Sequence, residues 1–187
     1  MKPNLKESIM SRLTAIQPEA ATGAAAELFA KIKKAAGKVP NAYATIGTHS
    51  PAALGAMLGV DAVLASSSLA KADIEVIKLA VSEVAGCDYC IAAHTLMGKF
   101  AGLSPDVMKQ VRAGTATGDA KRDALVRFVR TLVGTHGTVA AQELDAVRAA
   151  GYSEQQVIEV ALAIASITFT NLVNRVNDTT LDFPAVA

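Results

Sequence analysis

Lys71-Ala72-Asp73-Ile74-Glu75-Val76-Ile77-Lys78-Leu79-Ala80-Val81-Ser82-Glu83-Val84-Ala85-Gly86-Cys87-Asp88-Tyr89-Cys90-Ile91-Ala92-Ala93-His94 decides how this chain folds. Ile74, Ile77, Val81 and Val84 recur at the spacing of one helical face, which predicts a helix over 71–85. Gly86 is a poor helix residue and a good place for one helix to stop and another to start. A second helix is therefore expected from Cys87 to about Ala101, stopped by Gly102. Cys87 then stands at or near a helix N-terminus, where peptide dipoles and free backbone N–H groups stabilise a thiolate. At about 100° per residue, Cys90 and His94 differ by roughly 40° around that helix, and Cys87 lies on the adjoining strip. One face carries both sulfurs and the imidazole, and on these grounds either cysteine can be the more acidic.

Working outward, helical patterns continue on both sides. Ala25, Leu28, Phe29 and Ile32 form the apolar face of a helix over about 22–36, ended by Gly37. Val39-Pro40-Asn41 turns into a short helix around Tyr43–Gly47. Ser50-Pro51 opens a long apolar helix through Leu54, Met57, Leu58 and Leu64, whose few polar residues predict burial or a subunit interface. Downstream, Ser104-Pro105-Asp106 caps a short helix. Leu125, Phe128, Val129 and Leu132 mark a helix over about 120–134, and another is expected over about 138–150. Ser153-Glu154-Gln155-Gln156 has the form of a capping box and opens the last long helix, to about Asp178. With no convincing strand, the expected fold is all-α, a single domain over 1–187 with an irregular segment 1–20 and an extended tail 179–187.

Composition agrees with this and narrows function. Hydrophobic residues make up 51% of the chain but aromatics only 4%, with no tryptophan, which favours closely packed helices over a sandwich of β-branched and aromatic strands. A net charge of +1 argues against a nucleic-acid binder that relies on phosphate contacts. No run of about 18 charge-free apolar residues occurs, so no membrane span is expected. Lys2, Lys6, Glu7 and Arg12 interrupt the first 16 residues, which therefore lack a secretory apolar region. A cytoplasmic protein is expected, and there thiols stay reduced unless they cycle in catalysis.

Cys87 and Cys90 are the only two cysteines. A structural disulfide between residues three apart constrains the unfolded chain little. A structural zinc site needs four ligands, and only His49 and His136 could supplement Cys87, Cys90 and His94. His49 reads as an exposed neighbour of a helix cap and His136 as a loop residue. Two ordinary buried cysteines are a third bland possibility, but the histidine one turn beyond Cys90 favours redox use.

Ser50-Pro51-Ala52-Ala53-Leu54, Glu75 twelve residues ahead of Cys87, and Gly86-Cys87-Asp88-Tyr89-Cys90-Ile91-Ala92-Ala93-His94 together resemble the alkylhydroperoxidase AhpD-like branch of the carboxymuconolactone decarboxylase superfamily. Val39-Pro40-Asn41 and the stretch Val157–Asn174, with Phe169, Asn171 and Asn174, are looser matches to the same group. The resemblance implies an all-helical AhpD-like array, assembled as a homotrimer or homohexamer. It implies a proton relay of Glu75, Cys87, Tyr89, Cys90 and His94, in which Cys90 reduces a hydroperoxide and Cys87 resolves the product. At the position of Tyr89 the family's best-studied form has a histidine; tyrosine can donate and accept a hydrogen bond, but a pKa of about 10 makes it a poor base. Glu83 rivals Glu75 by lying four residues before Cys87, unless the helix breaks at Gly86.

The implied chemistry is a thiol peroxidase cycle: a Cys90 thiolate becomes a sulfenic acid, Cys87 condenses with it, and an external dithiol reduces the disulfide. No third cysteine is available, so the reductant is a partner protein or a lipoyl-type small thiol. No cofactor or metal is expected. Thr95, Leu96, Met97 and Phe100 form a mostly apolar approach, which points to organic hydroperoxides. Two alternatives are a decarboxylase-like lyase, which does not use a cysteine pair, and a redox-switched helical oligomer with little turnover.

Overall fold

The computed structural model describes residues 11–186, and no strand occurs among them. The expectations for residues 1–10, including Pro3 and the charges at Lys2, Lys6 and Glu7, lie outside the described residues. Among the described residues, a 3-10 turn at Pro18–Ala20 precedes nine α-helices: α1 Gly23–Ala36, α2 Asn41–His49, α3 Pro51–Ala65, α4 Lys71–Ala85, α5 Asp88–Phe100, α6 Pro105–Ala113, α7 Ala120–Gly134, α8 Ala141–Ala149 and α9 Glu154–Asn177.

Local chemistry explains most of these boundaries. Ser50, Ser104 and Ser153 accept hydrogen bonds from the backbone N–H of Ala53, Val107 and Gln156, and at Ser153 the reciprocal Gln156 bond completes the capping box. Gly37, Gly86 and Gly114 take the left-handed conformation just past α1, α4 and α6. Two boundaries depart from the sequence reading. α2 begins at Asn41, two residues ahead of Tyr43, because Pro40 occupies its cap. α8 begins at Ala141, later than Thr138, because His136 and Gly137 turn the chain with φ of 55° and 97° and leave Thr138 inside that turn.

α4 is the centre of the array and packs on α5, α6, α7 and α9. Val76, Ile77, Leu79 and Ala80 are each 0% exposed. Burying side chains of this size is worth about 1.5–3 kcal/mol apiece for the larger ones, so α4 contributes more to the core than its length alone requires. A second apolar cluster joins α1, α2 and α3 through Phe29, Ile46, Leu54 and Met57. Gly47 lets α1 approach α2, since a Cβ there would meet the Phe29 ring at 2.4 Å.

Of the two expectations for α3, burial within the chain is met only in part, since its neighbours leave one side uncovered. Leu54, Met57 and Leu64 face inward, while Val63 is 55% exposed and Ala52, Ala56 and Ala62 line the outer side. α9 goes further. By length and composition it could cross a membrane, yet its inward face carries Ser166, Asn171, Asn174 and Asn177, and its outward face carries Ile158, Phe169, Leu172 and Val176. The tail after Asn177 has no regular structure, and Phe183 packs edge-on against Tyr89 with ring centroids 5.4 Å apart.

Candidate active site

The site begins where α4 ends. Gly86, with φ 62° and ψ 41°, reverses the chain, and the Cys87 N–H donates back to the Ser82 carbonyl at 3.0 Å. Cys87 thereby becomes the N-cap of α5, and its Sγ accepts the Cys90 N–H at 3.4 Å. Both cysteines are free and buried. The Cys90 thiol donates to Cys87, which holds the Cys87 thiol below its ordinary range; the Cys90 N–H and the Arg175 charge act in the same direction, against the cost of burial. The same thiol contact pushes Cys90 up, and burial adds to this, while Asn174 and Thr170 pull the other way. Both shifts favour the negative charge on Cys87 over Cys90. Asn174 Nδ2 donates to Cys90 Sγ at 3.3 Å.

Arg175 is placed by the same turn. Its Nη1 donates to the Ala85 carbonyl and to the Gly86 carbonyl, the latter at 2.9 Å. A Cβ at Gly86 would stand 2.7 Å from that nitrogen, so glycine is needed for both the backbone angle and the arginine. Cys87 opens onto a polar cleft of about 500 Å³ lined also by Arg12, Asp88, Arg175, Asp178 and Thr179.

A second pair stands on the other side. Glu75 and His94 meet at 2.8 Å, Oε2 to Nδ1, with their side chains only 14% and 16% exposed. Lys78 is not the partner of Glu75; it pairs with Asp61 at 3.2 Å. Glu75 opens onto a cleft of about 340 Å³ shared with Met97 and Phe100, whereas Thr95 and Leu96 line a different cleft with Met108 and Pro184. One helix cannot point Thr95, Leu96, Met97 and Phe100 the same way, so the expected single apolar approach divides in two. Glu83 is held by Arg112 at 2.7 Å, remote from this pair.

Tyr89 faces elsewhere. Its hydroxyl donates to Asp182 at 2.6 Å and accepts the Ala42 N–H at 3.2 Å, while Lys38 holds the other Asp182 oxygen at 2.8 Å. Burial, the acceptor Asp182 and its charge push the phenol up despite the Ala42 bond, so it remains a neutral donor that ties the tail across the start of α5. His49 lies at the end of α2, bonded to the Thr14 carbonyl at 2.7 Å, and His136 lies in the turn after α7. Among the described residues, no group of three or more His, Cys, Asp or Glu side chains is arranged to hold a metal.

Sequence reasoning missed Tyr43, Asp182 and the part played by Arg175. Burial, and after it the negative potential of Asp61, Cys90 and Glu75, push the Tyr43 phenol up. No spacing rule could find it, because α2 reaches the site only through the tertiary fold. Asn174 was visible as a residue, but not as the donor to Cys90.

Residues 51–130 match the model of the carboxymuconolactone decarboxylase family. No curated protein sequence matches the chain. Among solved structures, a peroxidase-related protein of Ralstonia eutropha JMP134 with an alkylhydroperoxidase AhpD core is similar with a TM-score of 0.83 and 21% identity, covering 92% of this chain and 93% of its own. A peroxidase-related protein of Silicibacter sp. TM1040 gives 0.79 and 19%, covering 93% and 94%. The debrominase Bmp8, solved as a cysteine-to-alanine variant with 2,3,4-tribromopyrrole, gives 0.78 and 20%, covering 94% of each chain. The family match spans residues 51–130, from α3 into α7, and the fold match spans nearly the whole chain, so this chain has the all-α fold of these AhpD-like structures, with a central segment similar to the carboxymuconolactone decarboxylase family.

Proposed function

We propose that the chain is a thiol-dependent peroxidase acting on organic hydroperoxides through Cys87 and Cys90. The observation that carries this reading is the pair of free thiols at the first turn of α5, where Cys87 Sγ accepts the Cys90 N–H, one thiol open to a cleft and the other touched by an amide donor.

When the proton sits on Cys87, Cys90 is the thiolate. It attacks the terminal oxygen of the hydroperoxide: the S–O bond forms, the O–O bond breaks, and the departing alkoxide takes the proton from Cys87. Cys90 is now a sulfenic acid and Cys87 a thiolate. Cys87 attacks the Cys90 sulfur, the S–S bond forms, and hydroxide leaves and is protonated to water by the Glu75–His94 pair or by solvent. Two thiols from an external dithiol, a partner protein or a lipoyl-type carrier, then reduce the disulfide by exchange. Met97 and Phe100 give the Glu75 cleft apolar walls that suit an alkyl or aryl group. Tyr89 serves this reading through the tail and not through a proton. The outward apolar residues of α9, with the small residues of α3, form the face on which subunits associate.

The test is a single turnover of the fully reduced protein with cumene hydroperoxide or hydrogen peroxide, free thiols being counted before and after. Loss of two thiols in the wild type, a trapped sulfenic acid in Cys87→Ser and no reaction in Cys90→Ser are expected. Thiols that survive both peroxides overturn the reading. A parallel incubation with 2,3,4-tribromopyrrole, followed by bromide release, decides whether the thiol pair instead serves the chemistry named for the Bmp8 relative.

A further inference from the structure

Three asparagines recur along the inward face of α9, and all are buried: Asn171 is 2% exposed, Asn174 4% and Asn177 0%. Burying an amide is costly unless its donors and acceptor find partners. Asn177 has all it needs: its Oδ1 accepts the Leu13 N–H at 2.7 Å, and its Nδ2 donates to the hydroxyls of Thr45 at 3.3 Å and Thr179 at 2.9 Å. It is a tie between α9, α2 and the segment ahead of α1.

The other two are half satisfied. Asn171 Oδ1 accepts from the Ser82 hydroxyl at 3.2 Å, and its Nδ2 has no partner among the described residues. Asn174 Nδ2 donates to Cys90 Sγ at 3.3 Å, and its Oδ1 has none. A donor and an acceptor, three residues apart on one helix face, are left over, the acceptor on the side chain that touches Cys90 Sγ. A hydroxyl group is their complement, since its oxygen accepts and its hydrogen donates. Leucine would fill position 174 without leaving an unmatched carbonyl, and at position 171 it would orphan only the Ser82 hydroxyl, so packing alone does not account for two half-satisfied amides.

We infer that Asn174, backed by Asn171, forms a hydroxyl-binding niche for the oxygen that Cys90 acquires. Asn174 Nδ2 first stabilises the Cys90 thiolate. When that sulfur becomes S–O–H, the Asn174 carbonyl accepts its hydrogen and the Asn171 amide donates to its oxygen. The niche then releases that oxygen as hydroxide while Cys87 closes the disulfide, and the hydroxide takes a proton to leave as water. The oxygen half of the inference rests on the peroxidase reading above; the thiolate half does not.

The experiment uses the full chain in a Cys87→Ser background and reads two quantities. The first is the pH dependence of Cys90 alkylation by iodoacetamide. Asn174→Ala is expected to raise the midpoint by about one pH unit, the scale of a hydrogen bond to an ionised group. Asn174→Asp, of equal size, raises it further by facing the thiolate with a carboxylate, and decides the matter if Asn174→Ala does not fold. Asn177→Ala serves as the structural control: it lowers stability and leaves the midpoint in place. The second quantity is the lifetime of the Cys90 sulfenic acid after one equivalent of cumene hydroperoxide, followed by dimedone trapping. Asn171→Leu is expected to shorten it roughly fivefold with the alkylation midpoint unmoved. A midpoint unchanged in Asn174→Asp overturns the thiolate contact, and an unchanged lifetime in Asn171→Leu overturns the niche. If the parent forms no sulfenic acid at all, the peroxidase reading and the niche fall together, while the alkylation midpoint still decides the Asn174 contact.

Discussion

α4 and α9 pack against each other in the same core, yet they are built inside out relative to one another. α4 turns Ile74, Val76, Ile77, Leu79 and Val81 inward and keeps its chemistry at its margins, with Glu75 on one flank and the Gly86 reversal at its end. α9 turns three asparagines inward and leaves Ile158, Phe169, Leu172 and Val176 in contact with solvent. A helix that existed only to complete this core would not carry that pattern. The difference marks α4 as the stabilising helix, while α9 sets Asn174 against Cys90 on one face and leaves uncovered on the other the apolar residues proposed above for association.

The contrast can be broken most severely at α4. Leu79→Ala is expected to destabilise the fold by about 2–5 kcal/mol in urea unfolding, the range for a fully buried leucine; a loss below about 1 kcal/mol would remove α4 from the centre. Gly86→Ala comes next, at roughly 1–3 kcal/mol, because it strains a left-handed residue and drives a Cβ into Arg175. Arg175→Ala sharpens the account of α9. The arginine favours the Cys87 thiolate, so its removal should move the midpoint of Cys87 alkylation upward by less than about one unit. Alkylation should slow below that midpoint and be unchanged well above it, where Cys87 is ionised in both proteins; a midpoint that stays put excludes the arginine from thiol activation. Leu172→Glu should have the smallest effect on the fold, within about 0.5 kcal/mol, while lowering the mass seen by sedimentation equilibrium. A large loss of stability at unchanged mass would show that the outward face of α9 is not where copies meet.

Much of the architecture was legible because helix ends are local chemistry. Ser50-Pro51, Ser104-Pro105 and Ser153 with Gln156 each satisfy orphan N–H groups within one turn, and Gly86 marks the one break that sets Cys87 at a helix start. Thr138 misled for the same reason: it is a good cap in isolation, but the left-handed turn at His136 and Gly137 consumes it. In the site, the two cysteines and His94 share a short segment, and the resemblance supplied Glu75, which does meet His94. What spacing could not supply is contact across the fold. Tyr89 is bound by Asp182, Cys90 by Asn174 and the Gly86 carbonyl by Arg175, and each of those partners is fixed by how α9 and the tail dock.

Those three contacts span 93, 84 and 89 residues of chain. At about 5–20 residues per second, a ribosome makes the thiols roughly 4–19 s before the groups that surround them. Through that interval Cys87 lacks its arginine and Cys90 its amide. Docking of α9 completes the surroundings of the thiols: the Cys90 contacts that most lower Cys87 are local to α5, and the arginine that adds to them comes only with a finished chain.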